Sequence, residues 1–249
     1  MQIVKIKGSI KNYWWGSRDV LPSLFHYKAD GQPQAEAWFG VHPDGQATLE
    51  DGTSLKDYLD SSPELLAGLG RDEHFPLMMK VLAVNNPLSL HVHPDRIQAQ
   101  RGWREEELKR RKGFVQELNY KDENCKNELF YALTPSTLLV GFRDAESASF
   151  HLKRLCPVSF EKHFSSSRTA RGLFKTLFSL PQSELDCVIA EYMKGLEESG
   201  EELTRGGVYY TERGISVKVH DLFGNDPSVV VPYLMNVISL RIGEVLYIR

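Results

Sequence analysis

Apolar and polar positions alternate with period two in separate stretches of the first 145 residues, the mark of strands with one buried face. Val81 and Ala83, then Leu88, Leu90 and Val92, keep this alternation on either side of Asn85-Asn86-Pro87, a turn sequence. The pattern predicts a β-hairpin, with Ser89, His91 and His93 facing away from Leu88, Leu90 and Val92, and Pro94 ending its second strand. Ile3 and Lys5 suggest a short first strand. Residues 35–43 suggest another that stops at a proline turn, and Cys125 to Leu133 returns to strand-like residues. Near the end Val237, Ser239 and Arg241 alternate with Ile238, Leu240 and Ile242, Gly243-Glu244 makes a turn, and Val245 to Ile248 begins a further strand.

Helical spacing appears elsewhere. Leu55, Tyr58 and Leu59 follow a cap at Thr53 or Ser54, and Asp95 can cap a charged segment, residues 96–112, whose Arg, Lys and Glu side chains predict a solvated helix. Asp144 can cap a helix through Leu155, and Ser159 another beyond it. Leu185, Val188, Ile189, Tyr192, Met193 and Leu196 then form the clearest amphipathic stripe before Gly200. A helical block from about 145 to 205 is therefore set between β segments, and its His151 and His163 are expected at the surface.

Charge and composition narrow the function class. The 249 residues carry 30 basic and 33 acidic side chains, a net charge of -3, so there is no basic excess of the kind nucleic-acid binding requires and no such partner is expected. Cys125, Cys156 and Cys187 stand at unrelated spacings, which fits neither a disulfide framework nor a thiolate zinc site and points to a reducing compartment. The opening MQIVKIKGSIKNYWW has no long apolar stretch of a signal peptide. The apolar run near Val229–Leu240 is broken by Pro232 and Asn236, so a cytoplasmic protein without a membrane span is expected.

His91-x-His93 is the chemical candidate. On a strand both imidazoles share one side and could offer neutral nitrogens to a divalent ion such as zinc; equally, alternating histidines could be a half-exposed polar face. Glu128, on a returning strand 35 residues after His93, is the carboxylate a two-histidine site lacks, although by itself it is an ordinary strand glutamate. Glu36 and His42 could be site residues or simply a solvated polar pair at a strand end. The dense aromatics Tyr13, Trp14 and Trp15 beside Gly16 read as a structural plug more than a ligand platform.

Several motifs in order carry a resemblance. Asn12-Tyr13-x-Trp15-Gly16, Ala35-Glu36-x-Trp38-x-Gly40-x-His42-Pro43, Lys80-Val81-Leu82, Pro87-Leu88-Ser89-x-x-x-His93-Pro94, Asn119-Tyr120-Lys121-Asp122 and Lys126-x-Glu128-Leu129-x-x-Ala132-Leu133-Thr134-Pro135 resemble the type I mannose-6-phosphate isomerases of the cupin superfamily. The likeness runs from about residue 8 to 145. It is weak through the helical block and resumes at about 224 to 247 with Leu234-x-Asn236 and Gly243-Glu244-x-Leu246-Tyr247.

The resemblance implies a mainly β fold with an α block: a cupin jelly-roll over residues 1–145, an inserted helical domain over 146–205, and a linker with strands returning to the first cupin over 206–249, the second cupin being absent. It implies one zinc ion held by His93 and Glu128, with His91 where the family usually has glutamine, and a sugar-phosphate pocket lined by Lys80, Ser89 and Lys126. The family's later Pro-His-x-Tyr segment and its arginine motif do not occur before Arg249, so the chain is expected to be a truncated member. The implied reaction interconverts mannose 6-phosphate and fructose 6-phosphate, with a base that the sequence does not identify. A non-catalytic metal- or sugar-phosphate-binding module is the alternative. An iron oxygenase would also use two histidines and a carboxylate, but the sugar-phosphate motifs argue against it.

Overall fold

The computed structural model describes residues 3–66, 75–113, 119–120 and 122–248. Lys121 of the Asn119–Asp122 motif and the terminal Arg249 lie outside them. The chain divides into two compact units, Met1–His91 and Val92–Arg249.

In the first unit the strands are β1 (Ile6–Lys7), β2 (Ser9–Lys11), β3 (Glu36–Phe39), β4 (Thr48–Leu49) and β5 (Met79–Leu82), with helices α1 (Val20–Leu24) and α2 (Leu55–Asp60). β3 lies between β2 and β5, antiparallel to both, with Ser9 opposite Trp38, Lys11 opposite Glu36, and Trp38 opposite Lys80. The pleat sorts this sheet by chemistry. Ile10, Ala37, Phe39 and Val81 pack with Leu21, Tyr27 and Ala83 on one face, leaving Lys11, Glu36, Trp38 and Lys80 on the other. Of the two possible caps for α2 it is Ser54 that accepts from Asp57 N–H, and the helix buries Leu55 and Leu59 against Ala47 and Leu66.

The expected hairpin forms only its first arm. β5 is present, but residues 87–95 adopt no strand, so His91 and His93 do not project from one strand. The alternating apolar side chains are not buried on one face: Leu88 is half-buried, Leu90 is 42% and Val92 88% exposed, and Pro87 and Pro94 bracket the segment without N–H donors.

The second unit begins with α3 (Arg96–Arg111), closed at its start by a capping box. Asp95 Oδ1 accepts from Gln98 N–H at 2.8 Å, and Gln98 Oε1 accepts from Asp95 N–H at 3.2 Å. Then come β6 (Glu128–Tyr131), β7 (Ser136–Phe142), α4 (Ala145–Leu155), α5 (Pro157–Ser159), α6 (Ala170–Leu177), α7 (Gln182–Glu198), β8 (Thr204–Arg205), β9 (Tyr209–Tyr210), α8 (Glu212–Phe223), β10 (Met235–Leu240) and β11 (Val245–Ile248). Asp144 caps α4 as its sequence predicts, and the α7 stripe buries Leu185, Val188, Ile189, Tyr192 and Leu196 against Leu152, Leu155, Leu173 and Leu177. Ser159 is no cap. It ends a short helix started by Pro157 that runs into a π-helical turn, Phe160–Phe164, and Glu191 accepts from the Val158 and Ser159 N–H groups, each at 2.8 Å.

Helix continues past residue 205, where α8 buries Gly214, Ser216 and Val219. Its Ile215, Val217 and Val219 alternate like a strand, and its buried face is made largely of small residues, so the apolar pattern conceals the helix. The histidines of the block are half-buried and not the surface residues expected. His163 is 10% exposed, and His151 has a buried Nδ1 with no hydrogen-bond partner, its ring 5.1 Å from that of Tyr233. β10 pairs antiparallel with β7, and β11 with β6. Helix outweighs strand, against the expected mainly β composition, and the described strands form ribbons of two or three and no closed barrel.

Candidate functional site

Two groups of predicted residues take shape, one in each unit. In the second, the segment just before α3 meets the segment entering β6. Lys126 N–H donates to the Pro94 carbonyl at 3.5 Å, and His93 Nδ1 donates to the Lys126 carbonyl at 2.9 Å. Because a carbonyl can only accept, this bond fixes the proton on Nδ1 and leaves the Nε2 lone pair available, the tautomer a metal-binding imidazole requires. Nε2 lies 3.5 Å from Glu128 Oε2, while Lys126 Nζ lies 3.2 Å from Glu128 Oε1. The His93 side chain is 14% exposed and Glu128 is 43% exposed, so the pair is held at one end and open to a ligand at the other.

α3 supports this arrangement from behind. Its Glu106 accepts from Asn119 N–H at 2.6 Å, Asn119 Nδ2 at 2.8 Å and Tyr120 N–H at 3.1 Å. Burial alone would raise the Glu106 pKa, but these three hydrogen bonds and nearby Lys109 hold it below its ordinary value. The Tyr120 ring occupies the space that a Cβ on Gly102 would fill, so Asn119 and Tyr120 are seated on the helix.

In the first unit Ser89 Oγ and His91 Nε2 are hydrogen bonded at 3.1 Å, which uses the nitrogen a metal would otherwise take. Lys80 lies on the polar face of the β2–β3–β5 sheet, with Nζ 3.5 Å from Glu36 Oε2 and 4.4 Å from the Trp38 ring centroid. Trp38 Nε1–H donates to the same Glu36 oxygen, and Lys11 Nζ lies 4.5 Å from the same ring. His42 meets Trp38 edge-on with centroids 5.3 Å apart. Glu36 is only 8% exposed, so it belongs to this constellation and is not a solvated strand end.

The structure thus brings together His93, Lys126 and Glu128, and separately Lys80 with Glu36 and Trp38. Among the described residues no three His, Cys, Asp or Glu side chains are gathered to hold a metal. His93 and Glu128 nonetheless supply the nitrogen and oxygen donors that suit zinc, and the Nδ1 bond is the usual support for such a ligand. Sequence reasoning passed over Lys11 and the role of Trp38. The available signal was the i, i+2 placement of Glu36 and Trp38 on the face that β5 gives to Lys80.

Comparison with known proteins bears on these residues. Residues 3–145 match the family model for phosphomannose isomerase type I, catalytic domain. The mannose-6-phosphate isomerase of Escherichia coli K12 is 30% identical over 259 aligned residues covering 98% of this chain, and the human one is 25% identical over all of it. A crystal structure of mannose 6-phosphate isomerase from Salmonella typhimurium in its apo form superposes with a TM-score of 0.82 at 26% identity, over 99% of this chain. Another structure of that enzyme, with the same TM-score, is bound to fructose 6-phosphate and zinc. In all four comparisons the chain spans 63% of its relative's length. With more than half of its residues inside the matched domain, this chain belongs to the type I phosphomannose isomerase family.

Proposed function

We propose that this chain carries the metal- and substrate-binding part of an aldose–ketose isomerase that interconverts mannose 6-phosphate and fructose 6-phosphate. One zinc ion is assigned to His91, His93 and Glu128, and the sugar phosphate to Lys80, Ser89 and Lys126. The observation that carries this reading is the His93 imidazole, whose Nδ1–H is committed to the Lys126 carbonyl while Nε2 faces Glu128. The Salmonella enzyme bound to fructose 6-phosphate and zinc supports the choice of ligands.

When bound, zinc would supply a Lewis acid that polarises the sugar oxygens and so makes the carbon-bound proton beside them easier to remove. The chain's own groups prepare the site. The Lys126 backbone orients one ligand, its ammonium balances the Glu128 charge, and Lys80 offers a cation to a phosphate dianion. His91 must give up its bond to Ser89 to bind through Nε2, or bind through Nδ1 and keep it. In architecture we assign residues 1–145 to a cupin jelly-roll, 146–205 to an inserted helical domain and 206–249 to a linker with strands of that same cupin.

The test is conversion of mannose 6-phosphate to fructose 6-phosphate by the purified 249-residue chain supplied with zinc, beside His93→Ala. Turnover that vanishes in the variant supports the reading. Zinc and fructose 6-phosphate binding without turnover would favour the second reading, a binding module, which the absence of a gathered three-donor cluster among the described residues supports.

A further inference from the structure

The polar face of the first unit's sheet holds more than the lysine that the family likeness singles out. A lysine ammonium on four rotatable bonds is a poorly aimed charge, and the surroundings of Lys80 restrict it from two sides. The Trp38 indole, directly opposite Lys80 in the β3–β5 register, puts its π-face 4.4 Å from Nζ, and Glu36, two residues along β3 on the same face, puts Oε2 3.5 Å from it. Trp38 Nε1–H donates to that same oxygen, so ring, carboxylate and ammonium close a three-membered circuit. The carboxylate is tethered by the ring over which the ammonium sits. At 3.5 Å the ion pair is longer than a charge-assisted hydrogen bond, which leaves the Lys80 N–H donors to be claimed by a ligand.

Lys11 completes the brace. Its Nζ donates to the Asp44 carbonyl and lies 4.5 Å from the Trp38 centroid, so the indole receives a cation from each neighbouring strand. The ring is 8% exposed and Glu36 likewise, whereas the Lys80 side chain is 33% exposed. Buried groups hold a cation whose side chain stays one-third exposed. This is the form of a positioning device and not of a buried structural ion pair.

We propose that Trp38 and Glu36 are positioning residues that aim the Lys80 ammonium at the phosphate of a sugar-phosphate ligand, with Lys11 fixing the indole from the opposite strand. The inference rests on the proposed sugar-phosphate function but concerns residues which that reading leaves out. Glu36 has a double effect: it restrains Lys80 and partly cancels its charge. Removing the carboxylate and removing the ring therefore have different consequences for an anion.

The experiment is calorimetric titration of the zinc-loaded full chain with fructose 6-phosphate and, separately, with inorganic phosphate. Wild type is compared with Trp38→Phe, Trp38→Leu, Glu36→Gln, Lys80→Met, and each of the first three combined with Lys80→Met. Proton NMR of the lysine methylenes reads the ring-current shift that places Lys80 over the indole. Trp38→Leu should weaken fructose 6-phosphate binding about tenfold, and Trp38→Phe, which keeps a π-face, should lose less. Glu36→Gln should strengthen inorganic phosphate binding while weakening the preference for the sugar phosphate. In the Lys80→Met background none of the three should change affinity further, because each acts through that ammonium. Equal losses with and without Lys80 would overturn the proposal by showing a merely structural role. A wild-type spectrum with no ring-current shift on Lys80 would overturn it independently, whether or not any ligand binds. Absence of fructose 6-phosphate binding by wild type despite that shift would instead overturn the sugar-phosphate reading and, with it, the assigned target of Lys80.

Discussion

Two regions of the second unit are built on opposite terms. The helices from α4 to α8 share one apolar cluster running from Ala148 to Leu234, in which Leu173, Val188, Ile189, Tyr192 and Phe164 are fully enclosed. The β6–β11 ribbon, which begins at Glu128, shows apolar side chains outward: Leu129 is 67%, Tyr131 54%, Val245 49% and Tyr247 59% exposed. These four form directly opposed cross-strand pairs, Leu129 with Tyr247 and Tyr131 with Val245, so one face of the ribbon is apolar and uncovered in the described structure. Stability is thus concentrated where no predicted ligand lies, and chemistry is placed where little apolar area is buried. The two can be perturbed separately.

The largest effect should come from the helical side. Leu173→Ala or Leu177→Ala removes a fully enclosed side chain and should lower unfolding stability by about 2–5 kcal/mol in denaturant titration. Tyr247→Ser should lower it by less than about 1 kcal/mol, because the ring is already in water. Equal losses at the two places would abolish the contrast. His93→Ala should act the other way, leaving metal-free stability nearly unchanged while zinc affinity measured by chelator competition falls about 100-fold or more.

A pH dependence belongs to the helical side as well. Burial, then the charges of Arg143 and Arg154, lowers the His151 pKa from its ordinary 6.5, with Glu201 and Glu212 opposing. The unfolded chain therefore binds a proton there more readily than the folded one. The stability is present above about pH 6.5 and is lost as the pH falls below it. His151→Phe should flatten that part of the stability profile and leave the rest in place. The smallest effect is expected on the ribbon: Leu129→Thr with Tyr131→Thr should change stability little but reduce self-association seen by light scattering, since apolar sheet face is removed.

The same division governs how much could be read from the residues. α7 was legible because its stripe faces a core made by neighbouring helices, and α3 because Asp95 and Gln98 cap it locally. Residues 88–92 alternate as cleanly as any strand, yet strand formation depends on the neighbouring strand and not on the segment, and these residues form no strand in the described structure. α8 was missed for the converse reason, small residues occupying the face where large apolar ones would have marked a helix. At the site, His93 and Glu128 were legible as residue types at a spacing. The Lys126 carbonyl that orients His93 carries no sequence signal, because every residue has one.

The His93–Lys126 hydrogen bond joins residues 33 apart, and α3, 16 residues long, lies within that interval. Once formed, α3 is a rod of about 24 Å, which leaves fewer residues to be searched before the two ends meet. Because the capping box is local, it can form before that closure and set its pace. Asp95 is neither member of that hydrogen bond, yet its replacement by Ala should slow refolding of the site more than it alters the site once formed, so that this cap governs when the two ends meet and not where.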